Sequence, residues 1–324
     1  MLSGRYWPCH PKPLPSELFS SWLIRLASKN STRLHTFFHL EWPHKQIWTR
    51  DIDKFQDNEF ISKLAEKSGA SIEALDKMSL RSYNGLVYEK TNHLGHSGFI
   101  RPIGIRHRTR NRVGLMWCPE CLATDNVPYY RKEWRTLLSP TCPRHGIVLA
   151  DQCHECETPC MPHRGDFLSC YECKTPHSRH PSVPAKSRAL QLSFDNLRIV
   201  KTGITSIGFH SPMHSIVYFD IIRQLIKIVC SGARSENLRH ILFRQYNTDP
   251  SPFEIKSGEP IESLSAKELH RAFEMISYLL AGWPFMFVGL CAEADVWFSW
   301  ATKDMPSLRF EYYSIARRFL SATC

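Results

Sequence analysis

The chain has 324 residues, 43% of them hydrophobic and 22% charged, which allows two or three domains and excludes wholesale disorder. Lys and Arg number 41 against 31 Asp and Glu, and the resulting +10 charge, with a pI near 9.0, favours a polyanionic partner without specifying it. The longest apolar run, Leu279 to Cys291, has 13 residues and includes Gly282 and Pro284, too short to span a bilayer. Met1 to Pro15 lacks the apolar stretch of a secretory signal, so a soluble, cytoplasmic protein with no membrane partner is expected.

Pro8, Pro11, Pro13 and Pro15 predict an extended entry that ends at Ser16, a good helix N-cap. Leu18, Phe19, Trp22, Leu23 and Leu26 then repeat at helical spacing and predict a buried amphipathic helix. A second short helix is expected after Ser31, carrying Leu34, Phe37 and Phe38, and a third over Asp57 to Lys67, with Phe60, Ile61 and Leu64 on one face. Gly69 stops the third helix and Ser71 caps a fourth, whose apolar face is Ile72, Leu75 and Met78. Helix, a turn at Ser68 to Ser71, and helix have helix-turn-helix proportions. The second member, Ile72 to Leu80, offers Lys77 alone as a base, against Glu73 and Asp76, so a structural hairpin or a protein-docking face fits it better than a major-groove reader. Residues 1–115 therefore read as an N-terminal helical domain.

The stretch 101–112 holds Arg101, Arg106, Arg108, Arg110 and Arg112 with one histidine and no acid. It reads either as a solvated loop or as a strip that contacts phosphate or an acidic partner, because clustered guanidinium groups are costly without a counter-charge.

Twelve cysteines are present, and eight of them fall between Cys118 and Cys173. In a reducing compartment such a cluster signals metal ligation before disulfides. Cys118-x-x-Cys121 is followed after twenty residues by Cys142-x-x-His145, and Cys153-x-x-Cys156 is followed after thirteen by Cys170-x-x-Cys173. Two ligands two residues apart let one turn present both to a single ion, and two such knuckles complete a tetrahedral site. Thiolate and imidazole in closed four-coordination select zinc, so two structural Zn2+ ions are expected. Cys160, His154 or His163 could replace a nominal ligand of the second site. An interleaved cross-brace, as in RING-type domains, would instead pair Cys118 and Cys121 with Cys153 and Cys156; the seven residues between His145 and Cys153 suit sequential ribbons better. Four protein ligands per ion close each site to substrate, and no Gly-x-Ser-x-Gly elbow, phosphate loop, His-Glu-x-x-His or deaminase pattern is present in the sequence. No enzyme activity and no catalytic residue are expected.

Residues 116–175 thus form the tandem zinc-finger region, and the Pro-, His- and Ser-rich segment after it, 176–192, reads as a linker. The remainder, 193–324, is predicted as a C-terminal helical domain. Ile216, Phe219, Ile222, Leu225, Ile226 and Val229 make one apolar stripe, and Ser265 with Glu268 fits a capping box opening a helix that carries Leu269, Phe273, Ile276, Leu279 and Leu280 and is closed by Gly282. Trp283 and Pro284 turn the chain into an apolar segment up to Trp300, and a last helix carries Tyr312, Ile315 and Phe319. These aromatics are read as core and not as a platform for stacking bases. The fold class is mainly α with two small zinc-ribbon modules in the middle.

Trp117-Cys-Pro-Glu-Cys121, Tyr130-Arg-Lys-Glu-Trp134-Arg135, Thr141-Cys-Pro-Arg-His-Gly146, Leu149 and Cys153-x-x-Cys156 together resemble the zinc-finger core of the TniQ/TnsD family. Pro13 to Ala27 is similar to that family's opening, and Ala281-Gly-Trp-Pro-Phe285 resembles it more loosely. The resemblance implies a target-selection protein of bacterial cut-and-paste transposons, found at the nucleoid when active. Members either bind an attachment-site DNA directly or dock, commonly as dimers, on an RNA-guided CRISPR surveillance complex; both kinds recruit the AAA+ regulator TnsC. The roughly 150 residues after the zinc region are fewer than the long C-terminal extension of DNA-reading TnsD-like members, which favours the Cascade-docking TniQ type. A RING-like ubiquitin-ligase component or a zinc nuclease is the alternative outside the family.

Overall fold

A computed structural model describes residues 6–54, 57–104, 112–164, 168–208, 211–255, 258–305 and 309–320. They form two compact units, one made of Met1–Asn84, Lys90–Leu137 and Leu149–Ser182, the other of Gly85–Glu89, Leu138–Val148 and Val183–Cys324.

The first unit opens on helix α1, Phe19–Lys29. Ser16 does not cap it. The Glu17 carboxylate accepts the Leu14 N–H at 2.9 Å, the chain turns through Ser16 at φ +54°, and the helix starts only at Phe19, with no side-chain cap. Glu17 also forms a buried 2.7 Å ion pair with Arg25 of α1, so the turn and the helix are clamped by the same carboxylate. Helices α2 (Leu34–Glu41), α3 (Asn58–Ser68) and α4 (Ile72–Met78) follow. Gly69 ends α3 at φ +67° and Ser71 caps α4 by accepting the Ala74 N–H, as the local sequence predicts, whereas Asp57, expected as the first helical residue, lies just outside α3 and caps it by accepting the Phe60 N–H. Trp22, Phe38, Trp42, Phe60, Leu64 and Leu75 converge on one aromatic-rich core. Ile72 is not part of it: at 54% exposure it stands on the outer side of α4, while Leu75 and Met78 are buried.

A buried charge cluster ties the loop after α2 to the segment that carries the Tyr130-Arg-Lys-Glu-Trp134-Arg135 motif. Arg135 is fully buried, and its two terminal nitrogens meet Asp51 at 2.8 Å and Asp53 at 2.7 Å. Asp53 also accepts the Ser20 N–H at 2.7 Å, at the start of α1. Two carboxylates facing one guanidinium cannot be equally comfortable when buried. Desolvation outweighs the pull of Arg135 at Asp53 and raises it to about 6, whereas Asp51 is lowered because the charge of Arg135 and its hydrogen bonds overcome burial. The short helix α5, Pro119–Thr124, completes the helices of this unit among the described residues.

The second unit holds a small antiparallel sheet in the order β1 (Thr141–Cys142), β2 (Ile147–Val148), β3 (Val183–Pro184), with Cys142 opposite Ile147 and Val148 opposite Val183. Within 176–192, a 3-10 turn at His177–Arg179 precedes β3, and helix α6 (Ser187–Thr202) has already begun. A hairpin of β4 (Ile204–Thr205) and β5 (Met213–His214) leads into α7 (Ser215–Cys230), whose Phe219, Ile222, Leu225, Ile226 and Val229 are buried. After α8 (Glu236–Tyr246), the capping box of Ser265 and Glu268 opens α9 (Ala266–Leu280), which packs against α6 and α7. Gly282 at φ +64° and a cis Trp283–Pro284 bond turn the chain into α10 (Phe285–Glu293), followed by α11 (Phe298–Ala301) and α12 (Phe310–Phe319). Trp283, Phe287 and Tyr312 are buried against one another, and Phe319 is 47% exposed. Among the described residues no single helix is long and apolar enough to cross a membrane.

Candidate metal centres

The ligand atoms of Cys118, Cys121, Cys142 and His145 lie within 4.8 Å of one another, and so do those of Cys153, Cys156, Cys170 and Cys173. Each set is two knuckles taken in chain order, without interleaving. The sulfurs of the second set stand 3.4 to 3.6 Å apart across Cys156–Cys173, Cys153–Cys173 and Cys156–Cys170. A disulfide needs about 2 Å between sulfurs, whereas four thiolates ~2.3 Å from one tetrahedral ion stand about 3.8 Å apart. In the first set Cys142 Sγ lies 3.6 Å from His145 Nδ1, again the edge of such a tetrahedron. The donor sets therefore fit a soft, four-coordinate ion.

All four knuckles return the N–H of the residue after the second ligand to the carbonyl of the first: Leu122 to Cys118 at 3.2 Å, Gly146 to Cys142 at 2.8 Å, Glu157 to Cys153 at 2.9 Å and Lys174 to Cys170 at 3.0 Å. In three of them that residue has positive φ, +65° at Gly146, +57° at Glu157 and +64° at Lys174. Only the first of these is glycine; Glu157 and Lys174 hold a left-handed backbone that residues with a side chain rarely adopt. The fourth knuckle differs. Cys118 is the N-cap of α5, Pro119 occupies the first helical position, and Cys118 Sγ accepts the Cys121 N–H at 3.3 Å. Backbone N–H groups at a helix start favour the thiolate, the form a metal requires.

The two knuckles of the second centre are near copies, Cys-x-x-Cys-x-Thr in both cases. The Thr158 hydroxyl lies 3.2 Å from Cys156 Sγ, and the Thr175 hydroxyl 3.3 Å from Cys173 Sγ. Sequence reasoning did not single out these threonines, although the repeated spacing carries the signal. Hydrogen bonds from the hydroxyl and backbone of Thr175 lower the Cys173 thiol to about 6, while burial raises Cys153 to about 12 and also raises Cys170.

The residues considered as substitute ligands stand apart from this set. Cys160 is buried with its sulfur 3.8 Å from both Tyr130 Oη and His177 Nδ1, and burial pushes its thiol far above the usual range. The ring of His163 stacks on Trp48, and that of His154 meets His180 edge-on. Trp117 is fully buried, stacks on His177 and donates from Nε1 to its carbonyl at 3.0 Å; Tyr130 Oη lies 2.8 Å from His177 Nδ1. The aromatic members of the recognised motif act as packing that holds the knuckles.

Of the arginine strip, Arg101 is no surface group. It is fully buried, meets Asp151 at 2.9 Å and donates to the Gly114 carbonyl, so its counter-charge is inside the protein. Arg112 is half-buried and lines a cleft. Arg106, Arg108 and Arg110 lie outside the described residues. Lys77, the single base of α4, is paired with Glu73 at 2.6 Å.

The helical architecture with two closed four-ligand clusters defines a mainly α protein organised around ribbon-type metal modules, each of which could hold one ion. Residues 8–149 match the family model TniQ, so this part of the chain is a TniQ domain. No curated protein matches the chain. The TniQ domain supports a general role in target selection during DNA transposition.

Proposed function

We propose that the chain is a non-enzymatic adaptor that links a target-recognition complex, an RNA-guided Cascade assembly, to the AAA+ regulator TnsC, and that it works as a homodimer beside target DNA in the bacterial cytoplasm. The TniQ match over residues 8–149 is the observation that carries this reading. The metal in both centres is zinc: soft donors in closed four-coordination select it and leave no position for substrate. Sequential pairing of the ligands speaks against the cross-brace of a RING-type ubiquitin-ligase component.

A second reading, direct recognition of an attachment site in the TnsD manner, draws on the α3–α4 pair. The surface of α4 supports it weakly, since its one base is engaged by Glu73 and its exposed Ile72 suits protein contact better than base edges. Copurification from cells expressing the neighbouring operon separates the two. Recovery of Cascade subunits and TnsC is expected. Tight binding of one attachment duplex by the purified chain, lost when that site is mutated, would replace the adaptor reading with the direct one.

A further inference from the structure

The second metal centre brings two surface sulfurs together from different loops. Cys156 and Cys173 are both exposed, each is the second cysteine of its knuckle, and their sulfurs stand 3.4 Å apart. Cys153 and Cys170, the first cysteines, are buried, and so are Cys118, Cys121 and Cys142 of the other centre. Peroxides attack the thiolate, and metal ligation keeps a thiol in that form, so access decides which of several ligated sulfurs is oxidised. An attacked sulfur ends as a disulfide when a second sulfur is within reach and climbs to higher acids when none is. Cys160 does not compete, because it is buried with its sulfur 3.8 Å from both Tyr130 Oη and His177 Nδ1.

The two loops tolerate the exchange of a ligand pair for a bridge. Each closes on itself through its backbone: the Glu157 N–H reaches the Cys153 carbonyl and the Cys153 N–H the Thr158 carbonyl, both at 2.9 Å, while Lys174 reaches Cys170 at 3.0 Å and Cys170 reaches Thr175 at 2.9 Å. None of these bonds involves a sulfur. A disulfide asks the two sulfurs to approach to about 2 Å, which side-chain rotation supplies without opening either loop.

We propose that Cys156 and Cys173 form a redox modification site, in which hydrogen peroxide converts the pair to a disulfide and the second centre gives up its metal while the first keeps its own. One thiolate attacks the peroxide and its O–O bond breaks; the sulfur keeps one oxygen as a sulfenic acid, and the other leaves as hydroxide and takes up a proton. The second thiolate attacks the sulfenic sulfur, forms the S–S bond and expels a second hydroxide, which is protonated in turn. Two thiolates, one peroxide and two protons thus give one disulfide and two waters. Cys153 and Cys170 alone fill two of four tetrahedral positions, too few to retain the ion. The metal-release half of the inference rests on the zinc reading of this centre; the pairing of the sulfurs rests on the geometry.

The test treats the full, zinc-loaded chain with excess hydrogen peroxide, follows released zinc with a colorimetric dye and maps bridges by peptide mass spectrometry after alkylation. Cys9→Ser/Cys324→Ser is run beside the wild type, because Cys9 is an exposed thiol outside both centres. A Cys156–Cys173 bridge and release of one zinc equivalent are expected, the other equivalent leaving at least ~10-fold more slowly, with recovery on adding dithiothreitol and zinc. Cys173→His, checked for its zinc content, keeps a donor but removes the bridging sulfur, and should lose zinc to peroxide at least ~10-fold more slowly than the wild type; should this variant fail to load, the wild-type bridge map decides. Release of both ions at one rate, no release, a bridge within one knuckle or through Cys9, or sulfinic acid without a bridge would each overturn the proposal. A chain that purifies without metal would instead refute the zinc reading, and the bridge map of that chain then decides the pairing by itself.

Discussion

The two candidate metal centres present their ligands with opposite degrees of shelter. In the first, Cys118, Cys121 and Cys142 are buried, one knuckle is the N-terminus of a helix and the other a turn between two paired strands. In the second, Cys153 and Cys170 are buried but Cys156 and Cys173 reach the surface, and both knuckles are short loops that make their own hydrogen bonds. A ligand set drawn from regular elements makes the metal a condition of the surrounding core. A set drawn from self-contained loops makes it a condition of those loops only.

The largest expected effect follows from that contrast. Structural zinc contributes ~10 kcal/mol or more to folding a small domain, so Cys118→Ser or Cys142→Ser should give insoluble or protease-sensitive protein. Cys173→Ser should lose one equivalent of zinc and keep a cooperative melt within a few degrees of wild type. Similar melting curves for all three variants would erase the distinction between the centres.

Chelation sharpens it in time. On addition of excess EDTA the zinc held by Cys156 and Cys173 should leave first, in a phase separable from the second equivalent, as read with a colorimetric zinc dye. A single phase for both ions would contradict the difference in shelter. Thr175→Val removes the hydroxyl beside Cys173 while keeping shape, and should cost about 10–100-fold in affinity at the second centre with no change at the first.

The smallest effect sets the background against which acid-driven metal loss is read. His270 on α9 accepts the Lys186 N–H at 3.0 Å, and burial, with the charge of Lys186 added, holds its ring down to about 4. The unfolded chain has its histidines near 6.5, so the native state prefers the neutral ring; the stability it gives is complete above about 6.5 and is lost as pH falls towards 4. His270→Gln keeps an acceptor without a titration, and its melting temperature should vary less with pH over that window, by the equivalent of about 1–3 kcal/mol. Parallel wild-type and variant curves would show that His270 plays no part.

What the sequence disclosed follows from the range of the interactions involved. The caps at Ser71 and Ser265 depend on bonds to residues three positions away, and both were legible. The knuckle spacing is equally local. Ser16 misled because its fate is set by Glu17, which serves a turn and a distant arginine at once. Arg101 misled for a similar reason: the acid that neutralises it, Asp151, is fifty positions away, and a charge run gives no sign of which member turns inward.

The fork of Arg135 between Asp51 and Asp53 restricts what evolution or an engineer can place at that position. A lysine there has one ammonium point and cannot satisfy two carboxylates from two directions, and a methionine strands both acids in an apolar interior. Either exchange should unlatch the loop carrying Asp51 and Asp53 from α1 and lower stability by about 3–5 kcal/mol, as seen in chemical denaturation. Conservative replacement is therefore closed off at a residue that touches neither metal nor surface, and repair would require changing the two aspartates in the same step.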